Sequence, residues 1–113
     1  MSIDTSFITM YGVKKSYDEY SPFFDWQDEN GEYLDKELGV VADSMGGSYV
    51  IIGHIFLMTE SMRWNIPEGF VSIDTSKLED YKRQTIERFK EKAPEFINLT
   101  EGEWKLYTFV HYS

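Results

Sequence analysis

His54 and His111 are the two histidines of the chain, and each lies in a stretch that reads as a strand. If those strands paired, the rings could meet as a metal pair or an acid/base pair. Nothing in their spacing requires it, and a strand histidine is ordinarily half-buried with one ring nitrogen satisfied. No H-x-x-x-H or H-E-x-x-H spacing occurs. The absence of cysteine removes disulfides, thiolate catalysis and cysteine-type zinc sites. Acid pairs are plentiful: Asp18-Glu19, Asp28-Glu29 and Glu79-Asp80. Glycosidase chemistry needs two carboxylates held across a cleft. A chain with 20 acids shows adjacent pairs by chance, and these read as solvated charge. The run Asp25, Asp28, Asn30, Glu32 and Asp35 offers oxygen ligands without meeting the EF-hand frame. Ser44-Met45-Gly46-Gly47-Ser48 opens an apolar strand and carries no lysine, so it reads as a hairpin turn rather than a phosphate cradle. No G-x-S-x-G elbow is present. The expectation is a protein that is not an enzyme and has no metal and no cofactor.

The charge is more informative than these constellations. The chain has 20 acids and 11 bases, a net charge of −9. Between Ser16 and Asp43 lie nine acids and one base, Lys36, so that quarter carries −8 and the remainder −1. Interleaved with the acids are Tyr17, Tyr20, Phe23, Phe24, Trp26 and Tyr33. A solvating tail would have few aromatics. This segment is expected to pack rings on a body and turn its carboxylates outward. Direct nucleic-acid binding, which needs a basic stripe, is not expected. The partner that fits is a protein with a basic surface, such as one that itself holds nucleic acid, steered by charge and anchored by aromatics. The residues assigned to that contact are Tyr20, Phe24, Asp25, Trp26, Asp28, Glu29, Glu32 and Asp35. The bland reading of the same charge is solubility. An alternative function is binding of a nucleotide-like ligand in an aromatic pocket between sheet and insertion. Lys14, Lys15, Arg63 and Lys105 are then the phosphate partners.

The elements that must present these residues follow from periodicity. Phe7–Lys14 reads as a first strand, with Gly12 marking a bulge or a close backbone approach. The insertion at about 16–43 contains Pro22 and Gly31, so its regular structure should be short. Asn30-Gly31 signals a turn, such as a hairpin tip. Gly39–Ala42 is a brief strand, and Tyr49–Met58 is the most apolar run of the chain. Ser76 and Glu79 have capping-box spacing, with Asp74 and Thr75 as competing caps. Leu78, Tyr81, Thr85 and Phe89 then form an apolar helical stripe, widened by Ile86. Pro94 ends that helix or starts a short one. Trp104–Tyr112 alternates as a terminal strand, with Trp104, Leu106, Thr108, Val110 and Tyr112 on one side and Lys105, Tyr107, Phe109 and His111 on the other. The fold class is α+β: a small mixed or antiparallel sheet of three to five strands with one long amphipathic helix on one face. A parallel crossover through that helix is open. The insertion is expected to cover an end or the second face of the sheet.

The length of 113 residues predicts a single domain, 1–113, and 42% hydrophobic with 17% aromatic residues argues against disorder. No run approaches a membrane span, and the N-terminus has no secretory pattern, so a cytoplasmic monomer or small homo-oligomer without membrane contact is expected. The stretch Asp43–Gly53, DSMGGSYVIIG, resembles a glycine-turn-strand pattern of small acidic bacteriophage-encoded accessory proteins. Such proteins often inhibit host machinery, including restriction, CRISPR and other defence systems, by occupying a basic nucleic-acid surface as a nucleic-acid mimic. The resemblance implies an inhibitor acting in the host cytoplasm and carries over no catalytic residue.

Overall fold

The structure, a computed structural model, describes residues 5–43, 46–58 and 72–112. The stretch 59–71 with Arg63, Pro67 and Gly69, and the turn residues Ser44 and Met45, lie outside them.

The central strand is β1 (Thr5–Lys15), which pairs on both sides. Its alternation explains that place. Tyr11 and Val13 are buried on one face, Ile8 and Met10 on the other. A strand apolar on both faces must be covered on both. Its neighbours are β3 (Val50–Met58) and β4 (Trp104–Tyr112), and β2 (Val40–Ala42) pairs with the far side of β3. All pairings are antiparallel, in the order β2-β3-β1-β4. β3 and β4 both oppose β1 and so run parallel to each other on either side of it. The connection between them through the helix after β3 is the crossover left open by the sequence, with β1 inserted between its two strands. The turn between β2 and β3 is closed by the Asp43 amide donating to the Tyr49 carbonyl at 2.9 Å.

A row of glycines crosses the sheet. Gly12 pairs with Gly53, whose amide donates to the Gly39 carbonyl at 3.0 Å. A Cβ at Gly12 would collide with the Ile52 carbonyl, and one at Gly53 with the Tyr11 carbonyl. Both glycines fall on the face of Met10 and Ile51, so no side chain opposes folding toward that face. The sheet coils accordingly. Tyr49 precedes the Lys15–Val50 pair, and Phe109 pairs with Ile8. In a flat sheet these sites are roughly 25 Å apart along β1. Their ring centroids lie 5.5 Å apart, and the Tyr49 hydroxyl meets His111 Nδ1 at 2.8 Å. This diagonal closure encloses Ile8, Met10, Val41 and Ile51 as a second core.

The other face carries the helices. α1 (Tyr17–Asn30), the four-residue α2 (Asp35–Leu38) and α3 (Leu78–Lys92) all pack there, with a 3₁₀ segment, Pro94–Thr100, following α3. Tyr20, Phe23, Leu38, Phe89 and Leu99 join Tyr11, Val13, Val50, Ile52 and Trp104 in the main core. The insertion thus covers the same face as α3, not an end or the second face; Phe23 and Phe89 meet at 5.9 Å. It is also far more regular than expected, with 14 residues in α1. Asn30-Gly31 closes that helix, with Gly31 in the left-handed region at φ 66°, and is no hairpin tip. At α3, Asp74 rather than Ser76 is the capping side chain, and it begins a 3₁₀ turn, Thr75–Lys77, that leads into the helix.

Candidate functional site: the acidic outer face of α1

α1 is set by its first turn and its buried stripe. The Ser16 amide donates to Glu19 Oε2 at 2.9 Å, and the Glu19 amide donates to Ser16 Oγ at 3.2 Å. This reciprocal cap, with Lys15 nearby, lowers the Glu19 pKa; the hydrogen bond from the Ser16 amide is the largest cause. Tyr20, Phe23 and Gln27, at i, i+3 and i+7, face the sheet and are 1% exposed or less. Phe23 lies against Trp26 at 6.1 Å, Phe89 at 5.9 Å and Phe96 at 4.9 Å.

Two buried polar groups lock α1 to the start of α2. The Tyr20 hydroxyl donates to Asp35 Oδ2 at 2.5 Å, and Gln27 Nε2 donates to Asp35 Oδ1 at 2.9 Å. Gln27 Oε1 accepts the Leu34 amide. Burial, then the Asp35 carboxylate beside it, push the Tyr20 phenol far above its ordinary range, so it stays a donor.

With that stripe turned inward, the 100° step of the helix sends Asp18, Asp25, Asp28 and Glu29 outward. All four are exposed, and Glu32 continues the face beyond the C-cap. Of the eight residues assigned from sequence, Asp25, Asp28, Glu29 and Glu32 stand together at this surface. Phe24 flanks it at 45% exposure, and Trp26 is half-buried on the opposite flank. Tyr20 and Asp35 do not belong to it. Tyr20 falls on the buried stripe, and Asp35 spends both oxygens on Tyr20 and Gln27. Asp18 and Tyr33 also stand at this surface and are absent from that assignment. Asp18 was detectable as the residue one heptad before Asp25. Tyr33 is 69% exposed and donates to Asp28 Oδ1 at 3.1 Å.

Among the described residues, the ion pairs are Arg83–Asp80, Arg83–Glu87 and Lys105–Glu103. None involves Asp18, Asp25, Asp28, Glu29 or Glu32, so the field of this face is not cancelled by a described ion pair. Asp43, like Asp35, is not displayed outward: buried, it accepts the Gly46 and Ser48 amides and the Ser48 hydroxyl, bracing the β2–β3 turn.

The histidines are kept apart by β1. His54 stacks on Tyr81 of α3 at 4.1 Å and 11° on the helix face, whereas His111 bonds Tyr49 on the second face. Burial lowers both pKa values; Arg88 adds to this at His54, and Asp43 opposes it at His111. They form neither a metal pair nor an acid/base pair. Among the described residues no three His, Asp or Glu side chains converge as a metal site, and no helix is long and apolar enough to cross a membrane. Between α1 and the sheet the space is filled by Tyr20, Phe23, Phe89 and Leu99. Comparison of the chain with protein-family models, curated proteins and solved structures finds no match.

Proposed function

We propose that this chain is a small acidic binding protein of phage type, without catalysis of its own. It occupies a basic surface on a host protein, such as a nucleic-acid-handling or defence factor in the cytoplasm, and blocks it. The observation that carries this reading is the outer face of α1. Asp18, Asp25, Asp28 and Glu29 line it and Glu32 extends it, all exposed and none in an ion pair among the described residues.

Four physical points support it. The carboxylates from Asp18 to Glu29 span about 16 Å along one rigid helix, a patterned array rather than a diffuse cloud. The helix is seated by aromatic packing, so little ordering entropy would be lost on docking. The last turn of α1 carries Asp28 and Glu29 and no base, which opposes the helix dipole. A local rule broken without internal compensation is characteristic of a functional surface. Phe24 and Tyr33 supply apolar contact beside the charge.

The test replaces Asp25→Asn, Asp28→Asn, Glu29→Gln and Glu32→Gln together. Binding to a panel of purified basic nucleic-acid-binding proteins is then measured by titration at several salt concentrations, with a DNA duplex as competitor. The expected result is salt-sensitive binding displaced by DNA, weakened at least about tenfold in the quadruple variant. Equal affinity of the variant, with no salt dependence, overturns the reading.

A further inference from the structure

We infer that β4 is a self-pairing edge, through which two copies of this chain join antiparallel around Thr108 and extend the sheet from four strands to eight. This does not rest on the acidic-face reading.

Among the described residues β4 pairs with β1 alone, which leaves its outer row of backbone N–H and C=O groups to solvent or to another strand. Edge strands are usually protected by shortness, proline, a bulge or inward-pointing charge. β4 is nine residues long, contains no proline or glycine, and keeps an unbroken register with β1. Its one fully charged side chain, Lys105, sits near the end.

The occupant is specified by the sequence of the strand. A two-fold interface requires that residue i meets j while j meets i. Counting outward from Thr108, the residue classes mirror each other: Tyr107 with Phe109, Leu106 with Val110, Lys105 with His111, Trp104 with Tyr112. In that register Leu106 lies opposite Val110 of the second copy. These are two of the few large hydrophobics left exposed, at 45% and 36%. Tyr107 lies opposite Phe109 of the second copy on the other face, an aromatic cross-strand pair. A foreign strand would need no such symmetry in β4.

Charge agrees. The chain carries −9, yet β4 holds no acid.

The experiment is sedimentation of the full chain over a concentration series, wild type beside Leu106→Lys/Val110→Lys. Both positions are exposed, so the fold should tolerate the change. The wild type is expected to move from monomer to dimer with rising concentration. The double variant should weaken that association at least about tenfold, because four lysines then face one another across the seam. A second measurement needs no variant. Amide hydrogen exchange of the wild type should show protection within Lys105–His111 rising with concentration, while β2 amides stay constant; this decides if the variant fails to fold. A monomer at every concentration, a dimer indifferent to the substitutions, or protection of β4 only when another protein is added overturns the inference.

Discussion

α1 and α3 cover the same face of the sheet and touch through Phe23 and Phe89. They treat charge in opposite ways. α3 pairs Arg83 with Asp80 at i−3 and with Glu87 at i+4, and it ends on Lys90 and Lys92, which suit the negative pole of its dipole. α1 has no base at all and ends on acids. Their anchoring differs as well. α3 buries Thr85 and Phe89 fully, and its Tyr81 stacks on a histidine. α1 buries Tyr20, Phe23 and Gln27 in a network of rings and hydrogen bonds that includes Asp35. The first helix is thus held firmly from beneath while its upper side is left electrostatically unbalanced. In the second, the exposed side is balanced within itself. That contrast is what makes α1 the better candidate for recognition.

The largest test of the contrast removes the anchor. Phe23 is completely buried and touches Tyr20, Trp26, Phe89 and Phe96. Phe23→Ala should cost about 3–5 kcal/mol of stability, read from urea unfolding midpoints. A loss under about 1 kcal/mol would mean that α1 is not seated as described, and its rigid acidic array would go with it.

The two helices also differed in how far they could be read in advance. The stripe of Leu78, Tyr81, Thr85 and Phe89 is apolar enough to reveal α3, and the alternation of Trp104–Tyr112 reveals β4. α1 hides its period. One of its three buried residues is a glutamine, Phe24 on its outer flank is exposed, and Pro22 lies inside it. A buried Gln27 becomes tolerable only when Leu34 and Asp35 arrive to satisfy it, and those partners come from beyond the helix. Asn30-Gly31 misled for a related reason. The same dipeptide serves a hairpin and a left-handed helix C-cap, and only the preceding helix decides. The acidic segment was legible as charge, whereas the inward turn of Tyr20 and Asp35 required the helical phase. Strand order was not legible, because pairing β3 and β4 on either side of β1 depends on contacts distant in sequence.

A second test separates the anchors by pH. The folded-state pKa of His54 lies below its ordinary 6.5, through burial and then Arg88. The unfolded chain therefore binds more protons as pH falls past that value. The stability linked to the His54–Tyr81 stack is complete above about pH 6.5 and is lost as pH drops through the folded value. His111 acts with the same sign, its burial effect being partly offset by Asp43. Urea midpoints should fall between about pH 7 and pH 5, and His54→Phe, which keeps a ring on Tyr81, should flatten part of that slope. The cap of α1 responds in a different window. Glu19 has its pKa lowered from 4.5, so its contribution is kept above that value and lost only in stronger acid. An unchanged slope in the variant would place the acid sensitivity elsewhere.

The smallest effect has the most diagnostic sign. Asp28 and Glu29 sit in the last turn of α1, where carbonyl groups already give partial negative charge, and the structure provides no base beside them in that turn. Replacing them, Asp28→Asn and Glu29→Gln, should raise stability by about 0.3–1 kcal/mol per site at low salt, with the gain shrinking as salt is added. On α3 the opposite holds. Arg83→Ala removes two exposed ion pairs and should lower stability by no more than about 0.5 kcal/mol. If the same two substitutions in α1 strengthen the fold while weakening attachment to a basic partner, stability and recognition compete at those positions. Charge chosen for solubility alone would show no such loss of binding, and a drop in stability would mean that the carboxylates serve the helix itself.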